Sequence, residues 1–218
     1  MTERLRLVVF DWDGTLADSA AIIAESIQES CRDLGLAVPD ETSAKYVIGL
    51  GLQDAVAHVA PGIPPSQQRA LAERYRQHYL ARDPNIRLFA GAIELLDMLQ
   101  ARGAWLAVAT GKSRVGLARA LDQTGLAARF QATRCADEGF SKPHPEMLLY
   151  LLDRLGVAPA EALMVGDTTH DMQLAHNAGV RGLAVSWVAH PQAALQELAP
   201  TACFAAMTEL HHWLAAHP

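Results

Sequence analysis

Residues 7–16 read Leu-Val-Val-Phe-Asp-Trp-Asp-Gly-Thr-Leu, and this stretch decides the fold class. The run over residues 5–10 is short, mostly apolar and rich in β-favouring side chains, and it stops abruptly at Asp11-Trp12-Asp13-Gly14. A run with no polar face predicts a strand covered on both sides, as in a parallel sheet, ending at a turn. Strand-end aspartates often do no more than cap a helix. Two of them straddling a tryptophan at the end of a buried strand point instead to chemistry.

Downstream the periodicity changes. Across residues 18–35, Ile23, Ile27, Cys31 and Leu34 share one helical face, with Asp18 or Ser19 available to cap the start and Gly35 to close the end. Residues 40–82 stay helical, with Leu71, Tyr75 and Tyr79 in a stripe, and Asp83-Pro84-Asn85 breaks the pattern. Strand-like and helical stretches then alternate. Strands are expected at 105–110, 130–134, 163–166 and 182–187, and helices at 113–124, 145–155 and 170–178. That alternation predicts an α/β fold: a Rossmann-like, three-layer core with a parallel sheet, and an inserted all-α segment. The expected core is residues 1–16 and 84–218, and the insert is residues 17–83. An insert after the first strand would lie over the carboxyl ends of the strands, where open α/β sheets bind ligands.

Composition narrows the function. The 218 residues carry 24 acidic and 18 basic side chains, a net charge of −6 with no basic block, which argues against a nucleic-acid surface. The longest apolar runs, such as residues 147–152, fall far short of the ~20 residues of a membrane span. The uninterrupted apolar run before Asp11 is only four residues, Leu7 to Phe10, so no secretory signal is expected. Cys31, Cys135 and Cys203 are widely spaced and form no CxxC, and read as reduced, mostly core residues of a cytoplasmic protein. The expected assembly is a monomer or weak homodimer.

The acidic residues are placed tellingly. Asp11 and Asp13 follow the first strand, and Asp167 and Asp171 follow the strand at 163–166. If those strands are neighbours, four carboxylates converge, which costs stability unless a cation sits among them. Oxygen-only ligands suit a hard ion, Mg²⁺ above all. Thr110 ends a third strand, where its hydroxyl and the Gly111 amide can hold a phosphate oxygen near the next helix N-terminus. Lys142 can bring an ammonium to the same crevice. Taken singly, a strand-end threonine or a lysine is usually structural or solvated. Gly111-Lys112-Ser113 resembles the end of a P-loop, but Leu106 stands where that loop requires glycine, so Ser113 reads as a helix cap. Among the nine histidines, His190, His211 and His212 are expected at the surface and His170 as a bystander. His144 stays open.

The order Asp11-Trp-Asp13-Gly-Thr-Leu16, Thr110, Lys142-Pro143 and Gly166-Asp167-Thr-Thr-His-Asp171 resembles the four motifs of the haloacid dehalogenase superfamily. The resemblance covers essentially the whole chain, including a helical cap. It is most similar to the phosphoglycolate phosphatase group, through Asp18-Ser19, the Gly49-Leu50-Gly51 turn and the interval from Asp167 to Asp171. It implies a Mg²⁺-dependent phosphatase acting on a small phosphorylated metabolite, with phosphoglycolate as the leading substrate. Asp11 would be the nucleophile, forming an aspartyl-phosphate. Asp13 would act as acid and then base. Mg²⁺ would be held by the Asp11 and Asp167 side chains and the Asp13 main-chain carbonyl, while Asp171 orients Lys142 or a bound water. Thr110, Gly111 and Lys142 would grip the phosphoryl group. Gly49, and Lys45 as the nearest cap cation, would meet the rest of the substrate.

Asp13 argues against dehalogenation, whose halide leaves without a proton. Sugar phosphomutases and phosphotransferases of the superfamily are the alternative, but they carry an arginine soon after the cap turn, where this chain has Leu50-Gly-Leu-Gln-Asp54. A receiver-type phosphoacceptor switch would be shorter and lack the insert. Cap and core are expected to close as semi-rigid bodies about residues 16–18 and 82–85.

Overall fold

The computed structural model describes residues 5–217; residues 1–4 and 218, within the expected core segments, lie outside the described residues. Its sheet is built from β1 (Leu7–Phe10), β2 (Trp105–Thr110), β3 (Ala132–Cys135), β4 (Ala162–Gly166), β5 (Arg181–Val185) and β6 (Ala202–Phe204). All neighbouring pairs are parallel, in the order β3-β2-β1-β4-β5-β6. Strand β1 is central, and its alternating side chains supply two cores. Val8 and Phe10 join the cluster formed by α5 (Ala92–Ala101), α6 (Arg114–Thr124) and α10 (Met207–Ala216), around Leu96, Leu117 and Leu210. Leu7 and Val9 join the opposite cluster, formed by α7 (Glu146–Leu155) and α8 (Thr169–Asn177), around Met147, Leu151 and Leu174. The apolar run of the sequence is therefore a strand sandwiched between two helical layers. Burying one such side chain fully contributes ~1.5–3 kcal/mol before chain entropy is subtracted.

Register places the chemistry. Phe10 lies opposite Val108 on β2 and Val165 on β4, so all three strands end nearly level. The Asp11 amide continues the ladder by donating to the Val165 carbonyl at 2.9 Å. Asp11, Thr110 and Asp167 consequently leave the sheet at the same edge.

Between β1 and α5 lie α1 (Ala20–Asp33), α2 (Glu41–Tyr46), α3 (Leu52–Val59) and α4 (Pro65–Arg82). Ile23 and Ile27 of α1 pack with Ala44, Val47 and Tyr79, while Cys31 meets Val56 and Leu71. The two connections to the sheet run side by side. Ala17 bridges to Leu88 in antiparallel fashion, the Asp18 amide donates to the Arg87 carbonyl at 2.8 Å, and Phe89 donates to Leu16 at 2.9 Å. The helices lie over the strand ends, where the Gly51 amide donates to Ser141 Oγ at 2.7 Å.

Several boundaries differ from the sequence reading. Helix α1 begins at Ala20 with Ser19 at the N-cap position, one of the two expected, but the Ser19 hydroxyl donates to Asp13 instead of capping the helix. Strand β3 spans Ala132–Cys135 where residues 130–134 were expected, and β5 ends at Val185. Trp187, expected in that strand, turns its indole N–H to the Gly14 carbonyl at 2.8 Å. Strand β6 and helix α10 complete the core beyond the elements read from the sequence. No helix among the described residues is long and apolar enough to cross a membrane.

A Cβ on Gly111 would run into the main-chain carbonyls of Gly49 and Leu50. We therefore expect Gly111→Ala to push the helical segment off the strand ends, weakening its docking by ~1–3 kcal/mol. Solution X-ray scattering should report a larger radius of gyration with little change in the thermal midpoint; an unchanged radius would refute the steric argument.

Candidate active site

At the strand ends, acceptor atoms of Asp11, Asp167 and Asp171 lie within 4.8 Å of one another, and all three side chains are buried. Two glycines allow this crowding. Gly14 turns the chain with φ +80°, and a Cβ there would strike the Asp167 carboxylate. A Cβ on Gly166 would strike Asp171 in the same way.

Lys142 enters the cluster from the loop before α7. Its Nζ lies 2.8 Å from Asp11 Oδ1, an ion-pair contact off hydrogen-bond alignment, and donates to Asp171 Oδ1 at 2.6 Å. The other Asp171 oxygen accepts from the Thr168 amide at 3.1 Å and the Thr168 hydroxyl at 2.7 Å. Thr15 Oγ1 donates to Asp167 Oδ1 at 3.0 Å. Among the described residues, Asp11 Oδ1, Asp11 Oδ2 and Asp167 Oδ2 are buried with no hydrogen-bond partner, and of these Asp11 Oδ1 alone has the Lys142 ammonium in ion-pair contact.

Three buried carboxylates thus face one ammonium. Burial, reinforced by Asp171 and Asp13 and opposed by Lys142, pushes Asp11 up to about 7. Burial and the charges of Asp11 and Asp171 raise Asp167 well above the usual carboxylate range. Burial alone would lower Lys142, but Asp11 and Asp171 outweigh it and raise that ammonium instead. An all-oxygen donor set with two orphaned buried oxygens and surplus negative charge fits a hard divalent cation.

Asp13 was expected in the same knot, but its carboxylate has other partners. Ser19 Oγ donates to Oδ1 at 2.6 Å, and Lys112 Nζ lies 3.1 Å from Oδ2. Thr110 is buried beside it, its hydroxyl accepting from the Lys112 amide at 3.2 Å. Gly49, at φ +87°, brings backbone over the cluster; a Cβ there would sit 3.3 Å from Thr168 Oγ1 and 3.9 Å from Asp11 Oδ2. Lys45 is paired with Glu41 on its own helix at 2.7 Å. Ser113 caps α6, accepting from the Gly116 amide.

His190 is buried, against the expectation of a surface position, because its amide donates to the Asp167 carbonyl at 3.3 Å and draws the loop inward. Its Nδ1 accepts from the Thr169 amide, so Nε2 carries the proton given to the Tyr46 carbonyl at 3.1 Å. His170 Nε2 approaches the same carbonyl at 2.8 Å, and the Tyr46 ring stacks on His58 and His190. His144 stacks on Phe140 beside a cleft of about 650 Å³ that Asp54 and Lys142 also line. Sequence reasoning passed over Lys112, Tyr79, Ser19 and Tyr46. Lys112 was visible inside the false P-loop, but its partners are far away in the chain.

The chain matches the family described as haloacid dehalogenase-like hydrolase over residues 8–185. It is 35% identical over 201 residues to the "probable phosphatase IndB" of Dickeya dadantii, covering 89% of this chain and 86% of that protein. A phosphoglycolate phosphatase of Agrobacterium fabrum is 32% identical over 211 residues, with coverages of 93% and 90%. The crystal structure of a hydrolase from Pseudomonas syringae has the same fold, with a TM-score of 0.88 at 21% identity and coverages of 97% and 98%.

Folding raises Asp11 and Asp167 above their unfolded values. Their contribution to stability is therefore present at low pH and lost as pH rises, in the case of Asp11 through about 7. A divalent cation replaces those protons, so adding Mg²⁺ should raise the thermal midpoint more at about pH 8 than at about pH 5.5. His170 and His190, lowered by burial, shift stability in the opposite sense, but equally with and without the ion. Equal Mg²⁺ shifts at both pH values would contradict the site.

Proposed function

The chain belongs to the haloacid dehalogenase-like hydrolase family, and from that membership we propose that it is a Mg²⁺-dependent phosphatase acting on a small phosphomonoester resembling phosphoglycolate. One observation carries the reading: the buried Asp11 carboxylate, held by Lys142, has an orphaned oxygen beside an orphaned Asp167 oxygen at the ends of β1 and β4. A carboxylate nucleophile paired with an ammonium and a cation suits phosphoryl transfer, where positioning and charge neutralisation do most of the work.

Asp11 attacks phosphorus and the bond to the ester oxygen breaks, giving an aspartyl-phosphate, while Asp13 passes a proton to the departing oxygen. Asp13 then takes a proton from water, which attacks the same phosphorus and releases phosphate from Asp11. Thr110, the Gly111 amide and Lys142 hold the phosphoryl oxygens. Asp171 keeps Lys142 aimed at Asp11. The Asp11 and Asp167 carboxylates and the Asp13 main-chain carbonyl would hold Mg²⁺, which when bound would supply positive charge to the transferring group.

Residues 17–83 serve in this reading as a cap over a core of residues 1–16 and 84–218, hinged near 16–18 and 82–85, with Gly49 facing the substrate. Lys45 would reach the substrate only by leaving Glu41. Residues 50–54 carry no cation to grip a second phosphate, which favours hydrolysis over a mutase reaction. Free cysteines suit a reducing cytoplasm.

Hydrolysis of para-nitrophenyl phosphate should require Mg²⁺ and fall on the order of 10⁴-fold or more in Asp11→Asn, with a folded protein by circular dichroism. Activity surviving that substitution, or surviving chelation of the metal, would refute the proposal. A panel of phosphorylated metabolites then ranks the substrates.

A further inference from the structure

The roles just assigned leave a buried ammonium unexplained. Lys112 follows Thr110-Gly111, and its side chain is only 9% exposed. A buried ammonium is costly unless partnered, and Lys112 has partners from both layers of the molecule. Its Nζ lies 3.1 Å from Asp13 Oδ2 and donates to the Tyr79 hydroxyl of α4 at 2.7 Å, while sitting 4.6 Å from the centre of that ring. Close to Tyr79 lies Asp83, which is buried and paired with Arg119 of α6. Burial, with Asp13 and Asp83 close by, raises the Tyr79 hydroxyl and keeps it neutral. Asp13, Lys112 and Tyr79 therefore form a line of polar contacts from the strand ends into the helical segment, with the Asp83–Arg119 pair close to its far end.

We infer that Lys112 is a positioning residue for the proton transfers of Asp13, and that Tyr79 holds its ammonium in place while α4 is docked. The inference rests on the phosphatase reading, in which Asp13 is acid and base. An ammonium has three donors and no acceptor, so Lys112 fixes Oδ2 as an acceptor and leaves Oδ1 as the oxygen that exchanges protons. Ser19, at 2.6 Å from Oδ1, has a hydroxyl that can accept as well as donate. Asp13 Oδ1 gives its proton to the ester oxygen as the phosphorus–oxygen bond breaks, and regains one from the attacking water. Undocking α4 removes Tyr79, so the ammonium loses the contact that aims it.

The test compares kcat/KM, with Mg²⁺ present, for 2,4-dinitrophenyl phosphate and for an alkyl phosphate. The first leaving group needs no proton and the second does. Asp13→Asn should cost the alkyl ester ~10²–10⁴-fold and the dinitrophenyl ester far less. Lys112→Met should show the same selectivity at on the order of 10–100-fold, and Lys112→Arg should restore most of it. Tyr79→Phe, which keeps the ring, should lose the alkyl ester selectively by up to ~10-fold and provides the comparison if Lys112→Met does not fold. Equal losses on both esters in Lys112→Met or Tyr79→Phe, or no loss in either, overturn the inference alone. A lack of selectivity in Asp13→Asn overturns the acid–base reading of Asp13 and the inference with it.

Discussion

The structure is organised around an electrostatic imbalance: Asp11, Asp167 and Asp171, all buried, share the single ammonium of Lys142. Left alone, such an arrangement costs more than it returns, because desolvation of each carboxylate outweighs one shared attraction. Its surroundings are shaped to tolerate it. Level strand ends bring Asp11 and Asp167 together, glycines at 14 and 166 leave room for the carboxylates, and Thr15 and Thr168 each satisfy one oxygen, of Asp167 and of Asp171. What remains uncompensated lies on Asp11 and Asp167. Strain of this kind is expected where a protein is built to receive charge.

The helical segment meets the strand ends largely through polar contacts. Tyr46 offers its carbonyl to His170 and His190, Gly51 its amide to Ser141, and Asp83 its carboxylate to Arg119. Its own apolar side chains are spent mostly inside it, on Ile23, Ile27, Val47 and Leu71. Polar surfaces of this type can part and be rehydrated at modest cost, whereas the two cores flanking the sheet cannot. The cap closure of the proposed function would take place at that boundary.

Much of this was legible in the sequence because it depends on local pattern. The apolar run before Asp11 identified a buried strand, and the spacing of Ile23, Ile27 and Cys31 identified a helix that buries those side chains. The meeting of Asp11, Asp167 and Asp171 follows from placing strand ends side by side, whereas the Asp13 carboxylate, expected with them, pairs with Ser19 and Lys112 instead. What escaped depends on contacts distant in the chain. His190 is buried by a hydrogen bond to residue 167, Ser19 is drawn from its cap by Asp13, and Lys112 acquires meaning only beside Tyr79. Strand β6, three residues long, offers too little periodicity to recognise.

The facing of Ala17 and Leu88 has a further consequence. The chain departs for the helical segment and returns from it at one spot, so the excursion places almost no closure demand on the sheet. Residues within that excursion are free to change, lengthen or shorten without disturbing strand order. In the proposed phosphatase reading, selectivity for new leaving groups can therefore diversify there while the chemistry beneath it stays the same.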